Sequence, residues 1–337
     1  MRLEWLDRCV SVGQHTDEDK QTGATAFIFH RPMQGALVLC GSAPASREAL
    51  ALQPGCSVSG LHGLLFAGGS AFGLDSCAGL LRWQREHQRG VSTVGGVVPV
   101  CPAACIYDLN SGTPEPPTAD DVYNACGASS PYSSMCEGAV GAGTGARVGK
   151  KGPKGFVADR GGLGVMSMSG PGDIQVSACV VVNAFGDILD EKGDVLAGGR
   201  VSSQPVNVAS FILQEMPPED SSAASFDFAL DQPAANPSGA GDETLHTCTT
   251  LGVVFTNVDL DRNALLRIGK MATAGFARSI CPAFTPFDGD IIYTFSTATC
   301  KASRLSAPDT ETIVGQLAAA CMCGAIRRAV RLANDIK

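Results

Sequence analysis

The chain contains a stretch that cannot form a packed core, followed directly by one that must be buried. Residues 217–243 are PPEDSSAASFDFALDQPAANPSGAGDE, in which apolar residues are isolated. Such a segment buries too little apolar surface to offset the entropy lost on ordering it. The next segment, TCTTLGVVF at 247–255, has the β-branched and aromatic residues of a core strand. We therefore expect a loose tether that ends where a buried strand begins with threonine.

A hydroxyl residue at such a junction permits two interpretations. The tether is either a surface loop before an ordinary strand, or a segment at whose end the chain cuts itself. Cutting would leave a threonine whose hydroxyl is a nucleophile and whose own α-amine can act as the base. This segment alone leaves both interpretations open.

Composition restricts the partners and the compartment. With 337 residues, 45% of them apolar, the chain can hold one large domain or two average ones. Its net charge of −8 argues against binding to nucleic acid or to an anionic membrane surface. We expect no membrane span, because no apolar run approaches roughly 18 residues, and no signal peptide, because the first twenty residues are rich in charge. The fourteen cysteines contain no C-x-x-C pair and lie mostly among apolar residues, which predicts free thiols and a cytoplasmic protein.

The apolar periodicity predicts mixed α and β structure. We expect a β-hairpin formed by residues 24–30 and 36–40, with its turn at Arg31–Gly35, and an irregular, proline-rich insertion over 110–134. Further predicted elements are strands over 61–67, 97–106, 173–189 (two strands) and 290–296, and helices beginning near Ser70, after an N-cap at Asp261, and over 311–335.

Three short motifs resemble known sites, and most fail on context. GAGTGA at 141–146 fits a dinucleotide fingerprint, but the glycines and proline that follow cannot form the required helix. GGSAFG at 68–73 misses the nucleophile-elbow spacing by one residue, which leaves Gly69 and Ser70 as a helix cap or as donors of backbone N–H groups to a ligand. No histidine or cysteine spacing predicts a metal site. FDGD at 287–290 is compatible with a simple Asx turn.

Six motifs in order nevertheless resemble one family. They are AGGSAFGLDSCAGLLRW (67–83), VPVCPAACIYDL (98–109), GAVGAGTGARVGK (138–150), VVVNAFGDILD (180–190), CTTLGVVFTN (248–257) and TPFDGDIIYTFST (285–297). The series is similar to the self-processing aminopeptidases and amidases that include L-aminopeptidase/D-esterase, the β-peptidyl aminopeptidases and the nylon-oligomer hydrolases. The resemblance implies an α+β fold, a four-layer αββα sandwich. It also implies a single domain over 1–337, cut into 1–248 and 249–337, without a cofactor and assembled as a homo-oligomer.

The resemblance also assigns roles by position. It implies cleavage between Cys248 and Thr249, with Thr249 as the nucleophile. The other implied residues are a substrate-proximal tyrosine (Tyr107), an active-site lysine (Lys150), an oxyanion-binding asparagine (Asn183) and an acidic pair that orients the nucleophile's amine (Asp288 and Asp290). The glycines of 141–149 are expected to let the backbone approach the substrate. Cys248 departs from the nylon-hydrolase branch, which has Asn before the nucleophile.

The implied chemistry is acyl transfer through an ester on Thr249. The α-amine has a reference pKa near 8 and a lysine one near 10.4, so the α-amine is the easier base, although Lys150 stays a candidate. Substrates within the family's range are short peptides, β-peptides, amino-acid amides or esters, and 6-aminohexanoate oligomers. Two alternatives stay open: an acetyltransferase of the ornithine-acetyltransferase type, and an unprocessed binding or assembly protein.

Overall fold

A computed structural model describes residues 3–214 and 248–336. The predicted tether over 217–243 and Thr247 lie outside the described residues. The described parts contain both helices and strands.

The strands are β1 Val10–Asp17, β2 Thr22–Leu39, β3 Ala45–Arg47, β4 Leu61–Ala67, β5 Val91–Thr93, β6 Gly96–Val98, β7 Ala103–Cys105, β8 Ser130–Pro131, β9 Arg147–Val148, β10 Val157–Arg160, β11 Gly162–Ser169, β12 Gln175–Asn183, β13 Asp187–Leu189, β14 Val195–Ala197, β15 Gly199–Val201, β16 Gln204–Val206, β17 Thr249–Val258, β18 Ile280–Cys281 and β19 Ile291–Cys300. The α-helices are α1 Glu4–Asp7, α2 Ser70–Gly73, α3 Cys77–Glu86, α4 Ala119–Gly127, α5 Val208–Gln214, α6 Arg262–Ala277 and α7 Ala307–Ala333.

Strand β2 runs without reversal through the segment predicted to turn. Its first part pairs antiparallel with β1 and β4, and its second part, from Gln34 to Leu39, pairs with β19. The register with β4 shifts between Ile28 and Met33, and the residues between them include an exposed proline. The predicted hairpin is therefore wrong: Arg31 and Pro32 mark a bend with a register shift, a position where a strand tolerates proline.

Because of this bend, one ten-stranded sheet forms two layers that face each other. Eight strands follow the order β11-β12-β17-β19-β2-β4-β7-β3, and in addition β1 pairs with β2 and β8 pairs with β1. Aromatic rings from the two layers meet between them: Phe27 lies 6.0 Å from Phe255, and Phe66 lies 6.0 Å from Tyr293, centroid to centroid. Alternate residues of each strand line this inner core, as the period of two requires.

The outer faces of both layers are covered by helices. Val180 and Val182 of β12 point outward into a cluster with α6 and α7, whereas Cys179 and Val181 point into the inner core. On the opposite side, α3 and α4 pack against β2, β4 and β7. The predicted α+β fold with four layers, αββα, is confirmed.

Two further elements differ from expectation. Helix α4 lies inside the segment predicted to be irregular, and a reciprocal capping box between Thr118 and Asp121 starts it. Helix α7 is long and apolar enough, by length and composition alone, to cross a membrane, although no such run was expected. Its buried face packs against β11, β12 and α6, as in the core helix of a globular domain.

Candidate active site

Thr249 begins a strand at the centre of one layer. Strand β17 lies between β12, with which it is antiparallel, and β19, with which it is parallel. Asn183 is directly opposite Thr249, so their Cα atoms are within about 5.5 Å. The alternation along β17 places Thr249 on the same side as Leu251 and Val253, at the rim of the inner core, where it is 2% exposed. Two of the predicted site residues are thus adjacent.

The peptide link before Thr249 is held by two backbone hydrogen bonds. The N–H of Cys248 donates to the carbonyl oxygen of Phe287 (2.9 Å), and the carbonyl oxygen of Cys248 accepts from the N–H of Gly289 (2.6 Å). A Cβ at position 289 would lie 2.7 Å from Thr249 Oγ1, so only glycine brings this N–H so close. A fixed N–H donor on the carbonyl beside a hydroxyl is the arrangement of an oxyanion hole.

Gly289 is a site residue that sequence reasoning missed. The signal was present, since a glycine between two aspartates precedes a strand, but the motif alone was equally compatible with a turn. The loop at 40–43 fixes this segment: Cys40 and Gly41 N–H groups donate to the Asp290 carbonyl, and those of the next two residues donate to the Asp288 carbonyl. Gly289 therefore presents its N–H from a backbone that is hydrogen-bonded on both sides.

Lys150, Asn183 and Tyr107 form one hydrogen-bonded group beside Thr249. Lys150 Nζ donates to Asn183 Oδ1 (2.7 Å), which also accepts from the N–H of Arg147 (3.0 Å). Asn183 Nδ2 donates one hydrogen to the carbonyl oxygen of Tyr107 (3.0 Å). An amide nitrogen carries two hydrogens, so the Asn183 amide retains a second donor for an oxyanion. The structure thus brings the predicted tyrosine, lysine and asparagine together.

The side chain of Cys248 is also buried, close to Lys150. Burial raises the pKa of its thiol to about 12, even though a hydrogen bond and the positive charge of Lys150 act in the opposite direction. The thiol is therefore protonated at neutral pH. Phe185, Val208 and Ile212 form the apolar surroundings of this side chain.

Asp288 and Asp290 are both buried next to Cys248 and Thr249. Burial raises the pKa of both carboxyls, and the negative charge of Asp288 raises that of Asp290 further. Asp288 Oδ2 accepts from the Thr285 hydroxyl (2.6 Å) and N–H (2.9 Å), while Asp290 Oδ1 accepts from the N–H of Thr250 (2.6 Å). The pair therefore holds the backbone around Thr249, and its proximity disfavours two simultaneous negative charges.

The hydrogen bonds of Gly69 and Ser70 differ from the predicted ones. The N-cap of α2 is Gly69, without a side-chain cap, and the N–H of Ser70 donates to the carbonyl oxygen of Ile106. The N–H of Gly69 donates to Asp108 Oδ1 (2.7 Å). The expected roles of Ser70 as a helix cap and of both N–H groups as ligand donors are wrong in this conformation, since both N–H groups already have internal acceptors.

Asp108, a residue not predicted from the sequence, anchors this turn to the site. Its other carboxylate oxygen accepts from the hydroxyl of Thr22 (2.8 Å), and it follows Tyr107 directly. Burial raises the pKa of Asp108, while its hydrogen bonds and the charge of Lys150 lower it.

The glycines over 141–149 pack against the protein's own backbone. A Cβ at Gly145 would lie 1.9 Å from the carbonyl oxygen of Gln21, and one at Gly149 would lie 2.0 Å from the N–H nitrogen of Gly199. These two glycines are therefore needed for close internal packing, and the expected approach of this backbone to a substrate stays a prediction. Within residues 3–214 and 248–336, no group of three or more His, Cys, Asp or Glu side chains could hold a metal ion.

Comparison with known proteins identifies sequence relatives over nearly the whole chain. The sequence profile of peptidase family S58 matches residues 8–337. An uncharacterized aminopeptidase of Mycobacterium tuberculosis is 35% identical over 96% of this chain and 91% of its own length. A 6-aminohexanoate-oligomer endohydrolase of Paenarthrobacter ureafaciens is 26% identical over 95% of this chain and 83% of its own.

Solved structures show the same fold at lower sequence identity. The L-aminopeptidase D-Ala-esterase/amidase from Ochrobactrum anthropi, described as a variant of the N-terminal-nucleophile (Ntn) hydrolase fold, superposes with a TM-score of 0.64. It is 18% identical, over 96% of this chain and 85% of that one. A Burkholderia sp. β-aminopeptidase gives a TM-score of 0.64 at 17% identity, over 95% and 84% of the two chains.

Proposed function

Because the chain belongs to peptidase family S58, we propose that it is a self-processing amidohydrolase whose nucleophile is Thr249. The family and the Ntn-hydrolase fold confirm the resemblance predicted from the motifs, and the chain is a hydrolase of peptide or amide bonds. The observation that carries the finer proposal is the hydrogen bond from Gly289 N–H to the carbonyl oxygen of Cys248, directly before Thr249.

Self-cleavage would begin with attack of Thr249 Oγ1 on the carbonyl carbon of Cys248. The oxygen of that carbonyl would become negative while facing the N–H of Gly289, which stabilises the intermediate. Collapse breaks the C–N bond, the hydroxyl proton passes to the leaving nitrogen, and an ester links Cys248 to Thr249. Water then hydrolyses the ester, which leaves a Cys248 carboxylate and a free α-amine on Thr249.

The same hydroxyl would next attack the carbonyl carbon of a substrate amide. The α-amine of Thr249 takes the hydroxyl proton and returns it to the leaving amine. Lys150 is held on Asn183 and supplies positive charge, and the second hydrogen of the Asn183 amide faces the oxyanion together with Gly289 N–H. Asp288 and Asp290 place negative charge beside the new amine. The positive charge of the protonated amine in turn favours ionisation of these two carboxyls. Water hydrolyses the acyl-enzyme.

We expect the substrate to be a small molecule or short peptide with a free amine. Relatives named as an aminopeptidase and as a 6-aminohexanoate-oligomer hydrolase support that class. A cytoplasmic location, a homo-oligomeric state, the absence of a cofactor and the absence of nucleic-acid or membrane partners stay predictions.

Denaturing electrophoresis with mass spectrometry tests the proposal. Purified protein should give pieces of 248 and 89 residues, of about 25 and 9 kDa, with Thr249 as the new N-terminus. Thr249→Ala should abolish both cleavage and amide hydrolysis, and Thr249→Ser should retain part of each. Thr250→Val is the matched control: it removes the neighbouring hydroxyl, keeps the N–H that binds Asp290, and should still cleave before Thr249. An uncut wild-type chain, or amidase activity in Thr249→Ala, would refute the proposal.

A further inference from the structure

The carbonyl group that holds the Asn183 amide belongs to the same planar unit as the backbone of Asp108. Asn183 Nδ2 donates one hydrogen to the carbonyl oxygen of Tyr107 (3.0 Å), and the peptide group that contains this oxygen also contains the nitrogen and Cα of Asp108. The two hydrogens of an amide nitrogen have fixed directions relative to each other. The direction of the second hydrogen of Asn183 therefore depends on where this peptide group lies.

We propose that Asp108 is a positioning residue, whose carboxylate holds the peptide group between Tyr107 and Asp108 in place and thereby directs the second hydrogen of the Asn183 amide at the oxyanion of the substrate. This role rests on the proposed function, in which Asn183 and Gly289 donate to that oxyanion. Asp108 does not have to contact the substrate to perform it.

The carboxylate of Asp108 accepts hydrogen bonds from three sides. Oδ1 accepts from the N–H of Gly69 (2.7 Å), and Oδ2 accepts from the hydroxyl of Thr22 (2.8 Å). The N–H of Asp108 itself also hydrogen-bonds to the carboxylate. In a trans peptide group the N–H and the C=O point in opposite directions, so the carboxylate holds one edge of the group and Asn183 binds the other.

Close packing restricts the carboxylate further. Asp108 is 1% exposed. A Cβ at Gly68 would lie 2.0 Å from Oδ2 of Asp108, and one at Gly145 would lie 2.9 Å from its Cβ. Thr22 begins β2, Gly68 follows β4 and Asp108 follows β7, which all belong to one sheet layer, whereas Asn183 ends β12 in the other layer. The carboxylate therefore fixes one layer's side of the contact with Asn183.

The contribution of Asp108 is its position more than its charge. Burial raises the pKa of Asp108, the hydrogen bonds from Gly69 and Thr22 lower it, and the positive charge of Lys150 lowers it by less than these bonds do. An asparagine has the same shape: its Oδ1 can accept from the N–H of Gly69, and its Nδ2 can donate to the Thr22 hydroxyl oxygen. An alanine can do neither, so the two replacements separate position from charge.

Steady-state hydrolysis by processed protein tests this role. Asp108→Ala should lower kcat by about 10-fold or more and change KM less, because the misdirected donor acts on charge that develops after binding. Asp108→Asn should keep kcat within about 3-fold of the wild-type value. Asp7→Ala is the matched control, because the Asp7 carboxylate in α1 also accepts one N–H and one hydroxyl, both from Ser133, and its loss should leave kcat unchanged. A wild-type kcat in Asp108→Ala, or an equal loss in Asp108→Asn, would overturn the proposal.

A double-mutant cycle with Asn183→Ala distinguishes positioning from a general loss of structure. Once the Asn183 amide is absent, Asp108→Ala has no donor to misdirect, so in that background it should lower kcat by less than about 2-fold. Thermal unfolding of each variant shows that folded protein is being compared. A fall of kcat by the same factor in both backgrounds would show that Asp108 does not act through Asn183.

Thr22→Val and Thr22→Ser repeat the test from the other end of one hydrogen bond, and they are sufficient if Asp108→Ala does not fold. Thr22→Val removes the hydroxyl and should lower kcat by about 3-fold or more, whereas Thr22→Ser keeps the hydroxyl and should not. Equal kcat values for the two would overturn the role of Asp108. If that role fails while Thr249→Ala still abolishes cleavage and hydrolysis, the proposed function stands. If wild-type protein neither cuts nor hydrolyses any amide through Thr249, both proposals fail.

Discussion

Replacement of Asn183 separates two roles that its amide could have. The Oδ1 atom holds Lys150 and the N–H of Arg147, whereas Nδ2 donates to Tyr107 and, in the proposed mechanism, to the oxyanion. Asn183→Ala removes all of these contacts. Asn183→Asp keeps an oxygen acceptor for Lys150 and Arg147, but it replaces the donor by a second acceptor and adds a carboxylate charge. The two variants therefore differ in whether Lys150 stays in place.

The structure sets the expected size of each effect. Loss of one oxyanion donor costs about 10²–10³ in kcat, or about 3–4 kcal/mol. Asn183→Ala also leaves the N–H of Arg147 and the carbonyl of Tyr107 without this partner in a buried environment, which costs about 1–3 kcal/mol of folding stability for each group. Asn183→Asp avoids the stability cost at the N–H of Arg147, because an oxygen acceptor remains for it. If donation is the role of Asn183, both variants lose kcat, and Asn183→Asp loses at least as much as Asn183→Ala, because its carboxylate also repels the oxyanion.

The assay is steady-state hydrolysis by fully processed protein, with the extent of processing measured by mass spectrometry. KM should change less than kcat, because the donor acts on charge that develops after binding. Thermal unfolding of each variant separates loss of activity from loss of fold. A near-normal kcat in Asn183→Asp would show that Asn183 only positions Lys150, and a normal kcat in Asn183→Ala would remove it from the site.

Three further predictions concern other parts of the structure. Gly289→Ala places a Cβ 2.7 Å from Thr249 Oγ1, so self-cleavage should slow by about 10²-fold or more, and cleavage at the wild-type rate would exclude this N–H as the donor. Asp187 has a pKa raised to about 7 by burial, so its folded form binds more protons than its unfolded form between about pH 4 and pH 7, and its contribution to stability falls as the pH rises through that window. In the uncut Thr249→Ala background, the free energy of unfolding of the parent should therefore fall relative to that of Asp187→Asn as the pH rises from about 4 to about 7, and a difference that does not change with pH would contradict the shift. Phe255→Ala in the same background should lower the free energy of unfolding in urea by about 3–5 kcal/mol, because the ring is fully buried against rings from both sheet layers, and a loss below 1 kcal/mol would contradict that packing.

Local sequence signals located most elements but not the partners of the strands. The strand after Thr249, the helix capped by Asp261 and the two strands over 173–189 follow from periodicity and capping alone. The bend in β2 did not, because Arg31 and Pro32 are compatible with a reversal or a register shift. Pairing with β19, more than 250 residues away, decides between them. Helix α4 was missed although its capping box is visible in the sequence, because the surrounding prolines dominated the interpretation.

From the sequence, we could predict only those residues of the candidate site that belong to recognisable side-chain motifs. Tyr107, Lys150 and Asn183 were predicted from motifs and lie together in the structure, although Tyr107 contributes its backbone carbonyl to the contact with Asn183. Gly289 contributes a backbone N–H, which every non-proline residue has, and the glycine between two aspartates indicates a tight backbone without identifying this donor role. Only the position of that N–H, 2.6 Å from the carbonyl of Cys248, distinguishes it.

The strand order has a consequence for how a cut molecule would refold. Strands β17 and β19 lie side by side between β12 and β2, so a cut before Thr249 would leave two neighbouring strands of one piece inserted between strands of the other. The native pieces could not part without breaking the sheet on both sides, and dilution alone would not separate them. Once denatured, however, the pieces must find each other again, so regain of structure becomes a second-order process that slows as protein concentration falls. If the chain cuts itself as proposed, the precursor would fold as one molecule and the mature protein would not, so each molecule would have its one concentration-independent opportunity to fold before the cut.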